Sequence, residues 1–183
     1  MAMADFAAYR AVERVPIECD YRGFHVISAP PPSSGGIVLC EALNILSGYD
    51  LGALGFHSSI GVHYTVEALR RAFHDRNVNL GDPDFVHADV SRFISTAYAA
   101  EQRATISPDR ATPSASLPAP GIGHEGQSTT HFSIVDAAGN AVSFTYTLND
   151  WFGARVTAAG TGILLNDEMD DFSSKPGYPN MFG

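Results

Sequence analysis

Apolar residues recur at helical spacing through the first half of the chain and at strand spacing through the second. In residues 37–48, Val38, Leu39, Ala42, Leu43, Ile45 and Leu46 form one stripe that Gly48 ends, and this predicts a helix. Residues 59–77 predict a second helix. Residues 90–106 predict a third, with Asp89 or Ser91 as its cap. Upstream, residues 21–29 (YRGFHVISA) are β-branched and aromatic enough for a strand. The run PPPSSGG at 30–36 forces a loop before the first helix. No lysine follows its glycines, so a rigid turn is a better reading than a phosphate cradle. GDPDFV at 81–86 reads as a turn. Residues 107–128 are dense in Pro, Ser, Ala and Gly without periodicity, and predict a mobile linker.

After that linker the period becomes two. THFSIVD and NAVSFTYTLN flank Ala137, Ala138 and Gly139, and Gly139 suits the left-handed position of a three-residue hairpin loop. Symmetry about Ala138 sets Ile134 opposite Val142, Phe132 opposite Phe144 and Thr130 opposite Tyr146, which makes one apolar face. The other face pairs Ser133 with Ser143, His131 with Thr145 and Thr129 with Thr147, with Asn149 two residues further along. A slip of one residue would mix the two faces, so the pattern favours this register. Opposed pairs lie about 4.5–5.5 Å apart at Cβ.

Composition narrows the classes. A chain of 183 residues is long enough for one domain with a core. Hydrophobic residues at 45% and charged residues at 17% mark it as globular. A net charge of -9 argues against a nucleic-acid partner, which wants clustered Lys and Arg. Cys19 and Cys40 form neither a disulfide framework nor a metal motif, and Cys40, in an apolar run, is expected as a core thiol. His63 and His74 share much the same helical face but lack an acidic partner at metal spacing, so no metal site is expected. No apolar stretch approaches the ~20 residues needed to cross a membrane. The first ten residues have neither a basic nor an apolar leader region. Taken alone this suggests the cytosol, with a weight that depends on whether residue 1 is a true N-terminus.

The hydroxyl cluster at Ser128, Thr129 and Thr130, between linker and strand, raises a chemical question. A threonine hydroxyl is a poor nucleophile without a base, and one solution is an N-terminal threonine whose own amine takes the proton. An α-amino group titrates at roughly 7.7–8.0, near the working range of a general base. Such a residue arises only if the peptide bond before it is cut. A mobile linker ending at a strand mouth, with polar side chains opposite, would suit that cut. Spacing alone still favours an ordinary Thr/Ser-rich hairpin with one wet face.

The stretches TTHFSIVDAAGNAVSFTYTLN and GTGILLNDEMDDFSSKPG strongly resemble the gamma-glutamyltransferases (gamma-glutamyl transpeptidases) of the N-terminal nucleophile hydrolase superfamily. DFAAYRAVERVPIECDYRGFHVISAPPPSSGGI and LGDPDFV look like the same family, so the resemblance covers nearly the whole chain. It implies an α+β fold, an αββα sandwich incomplete in this chain, and a precursor that cuts itself into large and small subunits. Residues 1–128 would be the end of the large subunit and residues 129–183 the start of the small, catalytic one. Cleavage would fall between Ser128 and Thr129. Thr129 would be the nucleophile and Thr147 the threonine that bonds it. Asn149, Glu168 and Asp171 would hold the α-amino and α-carboxylate ends of the substrate's glutamyl group. A substrate ammonium wants carboxylates, although the NDEMDD run by itself reads as a solvated acidic loop.

The resemblance implies γ-glutamyl transfer and hydrolysis of glutathione and other γ-glutamyl compounds, with amino acids, peptides or water as acceptors and no cofactor. Family members usually carry a signal peptide, which implies a periplasmic or extracellular place. An upstream arginine and downstream Ser-Ser and Gly-Gly pairs of the family have no counterpart in residues 1–183, and Phe182 stands where some members have Tyr in an active-site lid. These residues alone are therefore expected to be inactive. Two rivals remain open. One is an acylase of the cephalosporin or glutaryl type, whose glutaryl group lacks the α-amine. The other is an unprocessed relative with a structural or binding role.

Overall fold

The computed structural model describes residues 2–117, 129–172, 175 and 178. It holds helices and two small antiparallel sheets, an α+β arrangement. The chain divides into two compact units, one of residues 12–119 and one of residues 1–11 with 120–183. The second of these includes a short helix, α1 (Met3–Ala8).

In the unit of residues 12–119, strands β1 (Ile17–Tyr21) and β2 (Phe24–Ser28) pair antiparallel, with Ile17 opposite Ser28 and Tyr21 opposite Phe24. Arg22 and Gly23 make the two-residue turn, with φ of 50° and 88°, the left-handed pair that a tight hairpin requires. The strand predicted at 21–29 covers β2 but runs back through this turn, and β1 is not predicted although IECDY alternates apolar and polar residues. Helix α2 (Gly35–Leu46) packs across the hairpin, and a Cβ on Gly36 would lie 2.4 Å from the Ala29 carbonyl. Glycine at this point is what lets the helix start so close to the strand.

That packing corrects the reading of the cysteines. Cys19 on β1 is disulfide-bonded to Cys40 on α2, so Cys40 is not a free core thiol. The two sulfurs meet because β1 doubles back along β2, whose exit loop leads straight into α2. Ile17, Ile37, Phe93 and Tyr98 surround the bond in one apolar cluster.

Helix α3 (Ser59–Asn79) lies against α2, and Val38, Ala42, Ile45, Leu46, Ala68, Ala72, Ala99 and Ile106 form the second apolar cluster. The helix predicted at 90–106 is instead two, α4 (Val90–Phe93) and α5 (Thr96–Ala104). Asp89 caps the first by accepting from the Arg92 amide, and Ser95 caps the second by accepting from Tyr98. A side-chain oxygen at Ser95 offers the backbone a fresh helix start in mid-pattern. The Ile94 carbonyl at the break accepts from Asn44 Nδ2 at 2.7 Å.

Two polar groups are built into this core. Glu67, 1% exposed, bonds Arg71 Nη1 at 2.6 Å, and both hold Thr112. Arg70 adds bonds to the Thr112 carbonyl and to Ser114 Oγ. Residues 107–117 are therefore fastened to α3 rather than free, which corrects the first half of the expected linker; its second half lies outside the described residues. Burial by itself would raise the Glu67 carboxyl, but hydrogen bonds from Thr112 and Arg71 outweigh it and hold the group at about 2. His63 Nε2 lies 2.7 Å from the Ser107 carbonyl. The second group joins Glu41 on α2, Asp75 on α3 and Tyr98 on α5. The Tyr98 hydroxyl donates to Asp75 Oδ2 at 2.6 Å, and Gln102 donates to Tyr98. Burial first, then the neighbouring Asp75, pushes the Glu41 carboxyl up to about 9.

Candidate active site

The unit that contains residues 129–183 is built on the predicted hairpin. Strands β3 (Thr130–Val135) and β4 (Ala141–Tyr146) pair with Thr130 opposite Tyr146, Phe132 opposite Phe144 and Ile134 opposite Val142. This is the register that the two-residue period implies. Gly139 has φ of 83°, and the Asp136 carboxylate accepts from the amides of Ala138 and Asn140, closing the loop. Phe132 and Phe144 stack at 5.2 Å on the apolar face.

The polar face carries the predicted site residues. Thr129 Oγ1 donates to Thr147 Oγ1 at 3.2 Å. Further along, His131 Nδ1 lies 2.8 Å from Thr145 Oγ1, and its Nε2 lies 3.1 Å from Ser143 Oγ. Thr147 Oγ1 also accepts from the Asn149 amide at 3.0 Å. Asn149 takes φ of 75°, a left-handed conformation that asparagine tolerates better than most residues. Its side chain donates to the Asp167 carbonyl at 3.2 Å. Asp167 opens a short 3₁₀ turn, Glu168–Asp171, so the acidic run is brought to the threonine end of the hairpin. Thr129, Thr147 and Asn149 thus form one hydrogen-bonded series, and Glu168 and Asp171 follow from the residue that Asn149 touches.

Glu168 and Asp171 interact directly. Burial first, then the charge of Asp171 and a hydrogen bond with it, raises the Glu168 carboxyl above its ordinary range. Two acids held together in this way are poised for a cation, which would relieve their repulsion. Ser128, at the predicted cleavage site, and Phe182, at the predicted lid position, lie outside the described residues.

Two residues that the sequence does not single out support the site. Gly153 has φ of 55°, and a Cβ there would lie 2.3 Å from the Leu165 carbonyl and 3.2 Å from Leu148 Cβ. It permits residues 148–153 to lie against residues 165–166. Asp167 is hidden within an acidic run whose members look alike in the sequence, and only its contacts distinguish it. Among the described residues no cluster of His, Cys, Asp or Glu is suited to a metal ion, and no helix is long and apolar enough to cross a membrane.

The sequence profile of the gamma-glutamyltranspeptidases matches residues 1–183 from end to end. The chain belongs to the gamma-glutamyltranspeptidase family. The glutathione hydrolase proenzyme of Pseudomonas sp. (strain A14) is 60% identical over 184 residues, which are 100% of this chain and 32% of that protein. The chain therefore spans about a third of the length of such relatives. The crystal structure of Helicobacter pylori gamma-glutamyltranspeptidase superposes with a TM-score of 0.60 at 43% identity, covering 68% of this chain and 36% of that one. A cephalosporin acylase from Bacillus halodurans superposes with a TM-score of 0.71 at 28% identity, covering 97% of this chain and 31% of that one.

Proposed function

We propose that this gamma-glutamyltranspeptidase family chain carries the junction and the nucleophile of an enzyme that transfers or hydrolyses γ-glutamyl groups, with glutathione as a substrate. Residues 1–128 then end the large subunit, residues 129–183 begin the small one, and the complete protein forms an αββα sandwich. The observation that carries the reading is the 3.2 Å bond between Thr129 and Thr147 on a polar face that ends in Asn149 and the Glu168–Asp171 turn. In the continuous chain the Thr129 nitrogen is an amide, so the base appears only after the bond to Ser128 is cut. The freed amine then takes the hydroxyl proton while Oγ1 attacks the γ-carbonyl carbon. The C–N bond breaks, cysteinylglycine leaves with that proton, and a γ-glutamyl ester on Thr129 remains. Water, or the amine of an amino acid or peptide, attacks the ester and restores the hydroxyl. Thr147 orients the nucleophile, and Asn149, Glu168 and Asp171 hold the glutamyl ammonium and carboxylate. The Cys19–Cys40 disulfide supports a periplasmic or extracellular place, since such bonds persist mainly in oxidising compartments.

The likeness to a cephalosporin acylase gives a second reading, transfer of a glutaryl group. The acidic pair separates the two, because glutaryl has no ammonium for Glu168 and Asp171 to meet. Hydrogen bonds to charged groups contribute about 1.5–3 kcal/mol. In a proenzyme of the relatives' full length that carries residues 1–183, Asp171→Ala should lower kcat/KM for a γ-glutamyl anilide by at least about tenfold. Self-cleavage should persist. An equal loss with a glutaryl substrate would mean a collapsed site and would count against the assignment.

Removing an oxyanion donor typically costs about 10²–10³ in rate. The family's donors have no counterpart in residues 1–183. Assayed alone, these residues are expected to show no threonine-dependent release of a γ-glutamyl anilide. Turnover within about tenfold of the full-length proenzyme would show that the hairpin and acidic turn suffice.

A further inference from the structure

We propose that Asp167 is a positioning residue of this site, fixing Asn149 and the acidic turn in one relation to Thr129. The inference rests on the γ-glutamyl reading above. Three consecutive residues are fastened to Asp167. Its amide donates to the Leu148 carbonyl at 3.1 Å, and its carbonyl accepts from Asn149 Nδ2 at 3.2 Å. Its carboxylate Oδ1 accepts from the Asp150 amide at 3.0 Å. Asn149, at the centre of these three, is the residue with left-handed backbone, a conformation that persists only where neighbours hold it. The Asn149 amide bonds Thr147 Oγ1, which accepts from Thr129 Oγ1. A continuous hydrogen-bonded path therefore runs from Asp167 to the nucleophile.

Asp167 also begins the turn that carries Glu168 and Asp171. One residue thus joins the β4 end of the hairpin, where Asn149 lies, to the acidic turn. Two of its three bonds use backbone atoms and would survive substitution. The third, from the Asp150 amide, needs a side-chain acceptor of this length. Asparagine keeps that acceptor without the charge, and alanine removes it. The position therefore tests hydrogen bonding apart from charge.

In a full-length proenzyme carrying residues 1–183, Asp167→Ala should still cut itself in two. Its kcat/KM for a γ-glutamyl anilide should fall by about tenfold, mostly in KM. Asp167→Asn should recover to within about threefold of the parent. In the 183-residue chain, Asp167→Ala should speed hydrogen exchange at the Asp150 amide while the β3–β4 amides keep their protection. Unchanged kinetics in the alanine variant overturn the proposal, as does an asparagine variant no better than alanine. Loss of protection across the whole hairpin would make Asp167 a general structural residue and overturns it too. The underlying reading fails separately, if Thr129→Ala still releases anilide; the exchange result for Asp167 stands or falls independently of that outcome.

Discussion

Thr129→Ala, in a full-length proenzyme carrying residues 1–183, is expected to give a single uncut band on a denaturing gel and no γ-glutamyl turnover. One hydroxyl is asked to perform both steps. On the proposed reading it attacks the carbonyl of Ser128 to open the chain, and, once its own amine is free, it attacks the substrate. Alanine removes the attacking oxygen from both steps together, so the two losses cannot be separated at this position. Serine keeps the oxygen but lacks the methyl that narrows the threonine rotamers, so Thr129→Ser should process slowly and retain partial activity. The 3.2 Å contact with Thr147 gives a graded control. Thr147→Ala leaves the nucleophile in place but unoriented, and should slow cleavage without abolishing it. Two subunits from the Thr129→Ala protein would end the assignment of Thr129. An intact chain in the unsubstituted protein would favour the non-catalytic rival.

The parts of the site that were legible in the sequence share a physical cause. Alternation with period two admits one register, because a slip by one residue would exchange Phe132 and Ile134 with His131 and Ser133. The pairing of Thr129 with Thr147 follows from it, and the structure places their hydroxyls in contact. Most of what the sequence reading missed came from contacts distant along the chain. The disulfide needed more than β1: IECDY does alternate apolar and polar residues, but nothing along the chain says that Cys19 lies against Cys40 on α2. The break at Ser95 needed a cap to prevail over a helical stripe, and the stripe alone spans both helices. The Thr112 clasp draws its partners from α3, more than a helix away. Asp167 looked like any acid in an acidic run. Except at Ser95, where the deciding bond is a local cap, the missing information was a tertiary contact, which periodicity does not encode.

The unit of residues 12–119 should lose stability as pH rises from about 5 to about 9, and Glu41→Gln should remove most of that slope. Glu41 is fully buried on α2 and faces Asp75, which already accepts from Tyr98. Two buried carboxylates cannot both ionise at close range without a large penalty, so Glu41 keeps its proton beside Asp75. The Glu41 carboxyl rises from an ordinary 4.5 to about 9. Between those values the unfolded chain binds fewer protons than the folded one, so stability falls with pH, by at most about 1.4 kcal/mol per unit. The contribution is fully present below the unfolded value and is lost as pH climbs through the folded one. Tyr98, pushed up to about 12 by burial and Asp75, stays protonated throughout. Glutamine preserves the volume and a permanent donor toward Asp75, and it has no proton to lose. The acid side supplies an internal control. Glu67, held at about 2, contributes stability above its ordinary range that is lost as pH falls toward that value, and Glu41→Gln does not touch it. Urea unfolding of the 183-residue chain across this range, followed by circular dichroism, should therefore show the same acid limb in both proteins. The alkaline limb should be flat only in the variant, by a margin of about 2 kcal/mol or more at the upper end. Parallel curves for the two proteins up to pH 9 would show that the Glu41 proton is not what the folded core retains.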